Sequence, residues 1–245
     1  MSAGPILKIT DLHLHFGGVR ALDGINLSVN TGELLGVIGP NGAGKTTMFN
    51  VITGVLTPDS GSVRFDGREL TKCSPDQICR LGIARTYQRV RPFARLTVMQ
   101  NVMVPIVNRE RRVSYEEARA IAHDLLTRVG LTNYAGVEAS RLNLFHRKKI
   151  ELARALGAAA RVVLLDEVMA GLNAVEADAA SDLLRALKQE FSLTIVCIEH
   201  LMRIIMSVSD RVVVLDHGTV IANGTPAQVA DDPQVQRAYL GTEYA

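Results

Sequence analysis

The chain has 245 residues, 47% of them hydrophobic and 21% charged, enough apolar material for one large packed domain and inconsistent with a disordered chain. A net charge of +2, no tryptophan and only 4% aromatics provide neither a polyanion footprint nor a base-stacking platform, so no nucleic-acid partner is expected. Cys73, Cys79 and Cys197 form no C-x-x-C pair and read as reduced thiols, Met1–Thr10 lacks the features of a signal peptide, and no apolar run reaches the roughly 18 residues of a membrane span.

Short β-rich segments at Ile6–Thr10, Leu12–Phe16 and Ile25–Val29 predict an antiparallel opening sheet. Leu34–Ile38 is continuously apolar, as a strand buried on both faces should be, and runs through a glycine-rich turn into a helix from about Lys45. Ser62–Phe65 reads as another strand. Ala118, Ile121, Ala122, Leu125, Leu126 and Val129 recur at helical spacing and predict a helix over Ser114–Val129. A second helix is expected from about His146 to Leu156. Val162–Leu165 (strand), Glu176–Lys188 (helix), Leu193–Ile198 (strand), a short helix after His200, Arg211–Leu215 (strand) and a helical tail over Ala227–Leu240 follow. Buried strands alternating with helices predict a parallel α/β sheet. Thr97–Ser140 has no strand signal and breaks the alternation. The expected organisation is one domain over 1–245, with an α/β core plus β subdomain over 1–96 and 141–245 and an inserted helical subdomain over 97–140.

Two motifs carry chemistry. Gly39-Pro40-Asn41-Gly42-Ala43-Gly44-Lys45-Thr46 matches G-x-x-x-x-G-K-[ST] in full, between a buried strand and a helix. Its glycines let successive amides face phosphate oxygens, and the helix N-terminus adds positive potential. Lys45 reaches the outer phosphates, and the Thr46 hydroxyl is the expected Mg²⁺ ligand. The second motif, Val162-Val163-Leu164-Leu165-Asp166-Glu167, ends an apolar strand in two acids. Such a strand delivers them to the carboxyl edge of the sheet. Asp166 is the expected metal ligand, and Glu167 the group that faces an attacking water.

The order of these and the remaining pieces resembles the ATP-binding-cassette (ABC) ATPase family over nearly the whole chain. The resemblance implies a P-loop NTPase fold of the ABC type, with ATP and Mg²⁺ held at Gly39–Thr47, Thr47 included. Phe16 is placed like the family's adenine-stacking aromatic. Gln88 is placed like the glutamine that senses γ-phosphate and Mg²⁺, and His200 like the switch histidine. Ala170-Gly171-Leu172-Asn173 is placed like the loop that crosses the dimer interface. Finer features resemble ATPase subunits of branched-chain amino acid importers, a group that also serves related amino acids and amides: Phe16-Gly17-Gly18-Val19, the run Gly82–Gln88, Ile198-Glu199-His200, and the tail Arg237-Ala238-Tyr239-Leu240-Gly241. Lipopolysaccharide-export ATPases share a similar tail. The implied partners are a second and different ATPase subunit, integral-membrane permeases and, indirectly, a substrate-binding protein. The implied place is the cytoplasmic side of the inner membrane, bound peripherally. The segment after Gln88, with Arg89, Arg91 and Phe93, would meet the permease.

One stretch departs from the pattern. Where the family usually reads L-S-G-G-Q, this chain reads Leu142-Asn143-Leu144-Phe145-His146. In the family this loop acts in trans, presenting amides to the partner's nucleotide, and bulky residues restrict close backbone approach. Val168 also replaces the proline that usually follows the two acids. Two alternatives to a transporter ATPase are a soluble ABC ATPase unlinked to transport and a weakly hydrolysing regulatory subunit. The single cassette without a heptad run argues against the first, and Glu167 against the second.

Overall fold

The computed structural model describes residues 4–109 and 113–240; residues 1–3, 110–112 and 241–245, including Gly241 of the tail motif, lie outside the described residues. The chain opens with a hairpin of β1 (Leu7–Phe16) and β2 (Val19–Val29). The expected break between two opening strands is instead a bulge inside β1. There Asp11 turns to φ 46° and its amide donates to the Asn26 side chain at 3.0 Å. After β3 (Leu34–Ile38) and α1 (Lys45–Ile52), β4 (Ser60–Phe65) joins β1, and the two-residue β5 (Arg68–Glu69) completes a four-stranded antiparallel sheet.

Helix α2 (Pro75–Leu81) starts at a Ser74–Gln77 capping box with proline in its first turn and leads into β6 (Ile83–Arg85). Segment 97–140 then carries α3 (Val98–Val107), α4 (Tyr115–Arg128) and short 3₁₀ turns at Thr132–Tyr134 and Ala139–Arg141. Helix α5 (Leu144–Gly157) begins two residues before the expected start, because Asn143 caps it: its side chain accepts from the His146 amide at 2.9 Å. β7 (Val162–Asp166), α6 (Ala174–Phe191), β8 (Thr194–Ile198), α7 (Met202–Val208) and β9 (Arg211–Asp216) follow as expected. A further strand, β10 (Thr219–Gly224), pairs antiparallel with β9. The expected single tail helix is two, α8 (Pro226–Ala230) and α9 (Pro233–Leu240), because Pro233 has no amide to continue the first.

The second sheet has the order β10-β9-β3-β8-β7-β6, and β9 to β6 run parallel. Its parallel strands alternate between two cores. Leu35, Val37, Val162, Leu164, Val196 and Ile198 face α1 and the antiparallel sheet. Leu34, Ile38, Val163, Leu165, Ile195 and Cys197 face the helices from α3 to α7. Both faces are covered, which is why these strands read as unbroken apolar runs.

Phe49 of α1 is fully buried in the first of these cores. We expect Phe49→Ala to cost about 3–5 kcal/mol in denaturant unfolding, through lost transfer energy plus the cavity it leaves.

Candidate active site

Strand register builds the site. Val37, Ile198 and Asp166 lie level across β3, β8 and β7, with β8 between the other two. One or two residues further on, three loops leave the same carboxyl edge: the Gly39 loop, Glu199-His200, and the turn of Glu167. β6 adds a fourth, since Arg85 lies level with Leu164 and Gln88 follows three residues later.

The Gly39–Thr46 loop is shaped by close backbone approaches. A Cβ on Gly39 would sit 2.0 Å from the Leu215 carbonyl oxygen, and one on Gly44 would sit 2.5 Å from that of Ala21. Both glycines also have positive φ, 148° and 99°, so no other residue fits. Helix α1 starts with Gly44 as its N-cap, and no side chain caps its first amides. The buried Lys45 folds back along the loop, donating to the carbonyls of Gly39 (2.7 Å) and Pro40 (2.8 Å). Burial pushes its ammonium below the usual lysine range, and the fields of Glu167 and Asp166 oppose that shift.

A cavity of about 160 Å³ lies over the loop, lined by Asn41, Gly42, Ala43, Gly44, Lys45, Thr46, Thr47, Glu167 and His200. Residues far apart in sequence thus share one small space with the helix N-terminus. Glu167 takes a left-handed conformation, φ 52°, a strained state for a side-chain-bearing residue and a recurrent one at active sites. Its carboxylate accepts from Gln88 Nε2 at 2.6 Å and pairs with His200 Nε2 at 2.7 Å. Asp166 sits just behind, almost fully buried, with Oδ2 held by Arg85 at 2.7 Å. Arg85 in turn lies over the rings of Phe49 and Tyr87 and donates to Asn50.

Phe16 does not line this cavity. It stands half exposed at the tip of the β1–β2 hairpin, and the same hairpin brings Ala21 against Gly44. The stretch Asn143-Leu144-Phe145-His146 starts α5 away from the cavity. Its side chains engage their own chain. Leu144 reaches to 3.0 Å from where a Cβ on Gly171 would begin, Phe145 packs under Lys149, and His146 lies against Tyr134 at 4.5 Å between ring centres. Burial and then Lys149 lower the His146 pKa.

A family model described as "ABC transporter" matches residues 22–170. The chain belongs to the ABC transporter family. A second model, described as "Branched-chain amino acid ATP-binding cassette transporter", matches residues 219–245 of this ABC ATPase. It is 38% identical over 254 residues to the high-affinity branched-chain amino acid transport ATP-binding protein BraF of Pseudomonas aeruginosa, covering 97% of this chain and 98% of that protein. It is 37% identical over 250 residues to LivG of Escherichia coli, a protein of the same description, with 97% and 98% covered. Among solved structures it is similar to MJ1267, an ATP-binding cassette of an ABC transporter, with a TM-score of 0.88, 30% identity, and 97% and 99% of the two chains covered.

Sequence reasoning gives no role to several buried charged residues of this ABC ATPase, among them Arg85, Lys148, Glu151 and Glu199. Arg85 and Glu199 lie within quoted motifs and Lys148 and Glu151 within the expected helix, but their partners are 19 to 81 residues away, and a linear reading cannot supply those.

We expect Lys45→Ala to raise the ATP dissociation constant about tenfold or more, as loss of a charge-assisted hydrogen bond implies. Titration with a fluorescent nucleotide, against an unchanged circular-dichroism spectrum, measures it.

Proposed function

We propose that this ABC ATPase drives a membrane importer of branched-chain or related amino acids or amides, with Glu167 orienting the water that attacks ATP. The observation that carries the reading is the meeting of Glu167, Gln88 and His200 over the first turn of α1. ATP is the substrate. Its phosphates take the open amides from Gly42 to Thr47, and nothing lies within 4 Å of a Cβ position on Gly42 to block them. Lys45 exchanges the Gly39 and Pro40 carbonyls for phosphate oxygens. Phe16, exposed on its hairpin, offers the face on which adenine stacks.

The oxygen donors Thr46, Asp166 and Gln88 suit a hard divalent cation. Mg²⁺ held there offsets phosphate charge when bound. Glu167 accepts the proton of the attacking water, and His200 and Gln88 fix its carboxylate while that proton moves.

The chain works beside other chains. Among the described residues no helix is long and apolar enough to cross a membrane. In this reading permease subunits supply the spans, and this subunit binds them peripherally on the cytoplasmic side of the inner membrane. A cavity of about 220 Å³ beneath the Gln88 segment, lined by Thr53, Pro75, Ile78, Tyr87, Pro105 and Arg154, is the surface we assign to the permease. Segment 97–140 is the helical part of the single ATPase domain and moves with that surface. A dimer of cassettes is supported by the likeness to the dimeric structure of MJ0796, a bacterial ABC transporter cassette, with 25% identity, a TM-score of 0.81, and 90% and 98% of the chains covered. The second ATPase subunit is a different chain. Here the Asn143 side chain takes the His146 amide, and Leu144 and Phe145 stand where the family's glycines allow close approach, so the site completed by this stretch turns over slowly.

Glu167→Gln should leave ATP binding intact and lower hydrolysis about 100-fold or more; turnover near that of the parent chain removes Glu167 from its role. Rapid hydrolysis by this chain alone, matching a reconstituted pair, overturns the asymmetric dimer.

A further inference from the structure

The fold buries more charge than the nucleotide site uses. Lys148, Glu151 and Glu199 are 7%, 7% and 2% exposed, alongside Glu167 at 9%. Buried ions are expensive unless paired and hydrogen-bonded, so each should hold something. Each does. Lys148 Nζ donates to the main-chain carbonyl of Glu167 at 3.1 Å. Glu199 accepts from the Met169 amide at 2.7 Å. Glu151, one turn along α5 from Lys148, accepts from the Arg91 amide at 2.6 Å, three residues beyond Gln88. The Glu167 amide itself donates to the Ile198 carbonyl at 2.9 Å.

The turn that carries Glu167 is therefore held at its amide, at its carbonyl and again two residues downstream. Two of those three holds come from buried charged side chains that do not themselves line the cavity. A left-handed residue of this kind is strained and persists only where its surroundings over-determine it. Lys148 and Glu199 also act on each other: burial pushes the Glu199 carboxyl up to about 7 and the Lys148 ammonium down, and each opposes the other's shift.

We propose that Lys148 and Glu199 are positioning residues for ATP hydrolysis, clamping the Glu167–Met169 turn so that the Glu167 carboxylate faces the phosphate cavity. The proposal rests on the reading of Glu167 as the group that orients water. It also ties that carboxylate to α5, because Lys148 and Glu151 reach from this one helix to the Glu167 turn and to the segment after Gln88. A shift of α5 moves both groups that flank the reacting water.

The test uses the full chain, with partner subunits present wherever turnover requires them. Steady-state ATPase kinetics and nucleotide titration are run on Glu199→Ala, Glu199→Gln, Lys148→Met and Lys148→Arg, with Glu167→Gln alongside. A clamp predicts that Glu199→Ala and Lys148→Met lower kcat about 10- to 100-fold while KM and ATP affinity hold within about threefold, since only orientation is lost. Glu199→Gln keeps an acceptor for the Met169 amide and Lys148→Arg keeps donors for the Glu167 carbonyl, so both retain most of the parent kcat. Should Glu199→Ala fail to fold, the Lys148 pair decides alone. Parent-like kcat in the Ala and Met variants, or kcat and ATP affinity falling together, overturns the clamp. Parent-like hydrolysis by Glu167→Gln overturns the reading of Glu167 and the clamp with it, whereas an inactive Glu167→Gln beside an active Glu199→Ala overturns the clamp alone.

Discussion

A carboxylate and a phosphate chain repel, and the proposed reaction needs both within one small cavity. Lys45 and the uncapped amides of α1 make that possible. They supply positive potential on the phosphate side, while Gln88 and His200 engage the Glu167 oxygens on the other. The remaining structure serves to keep these groups opposed across a gap. Parallel register across β3, β8 and β7 does most of it, because it fixes three loops at one level along the sheet edge. A one-residue slip of β7 would turn its side chains to the other face and carry Asp166 and Glu167 out of place.

The two cores divide the labour. On one face, α1 and the antiparallel sheet pack against β3, so the phosphate loop sits on a rigid base and the Phe16 hairpin abuts it. On the other face the helices share a core with the sheet, and α5 spans from the Asn143 stretch to the buried contacts with Glu167 and Arg91. The phosphate loop and α5 thus approach Glu167 from opposite faces of one sheet.

Much of this is legible in the sequence. Leu34–Ile38 and Val162–Leu165 announce themselves because strands buried on both faces must be apolar throughout, and the Gly39–Thr46 motif is a local backbone solution that needs no distant partner. Short or edge elements are less visible. β6 has three residues, β5 has two, and β10 has mixed burial, so none offers a periodicity to read. The bulge at Asp11 hides one strand as two, and Pro233 divides a tail that otherwise looks continuous. Long-range charge pairing is the least visible of all. Glu199 reads as a neighbour of His200, and only tertiary structure reveals its hold on Met169. Arg85 likewise reads as one letter of a run until it is found on Asp166.

Lys45 is satisfied by oxygens of its own chain, at Gly39 and Pro40. In the proposed cycle its charge therefore has a resting berth as well as a working one. A motor subunit must surrender spent nucleotide on every cycle, and a cation that swaps one set of oxygens for another lets go without being stranded in a dry interior. Reversible grip, rather than maximal grip, is what that arrangement favours.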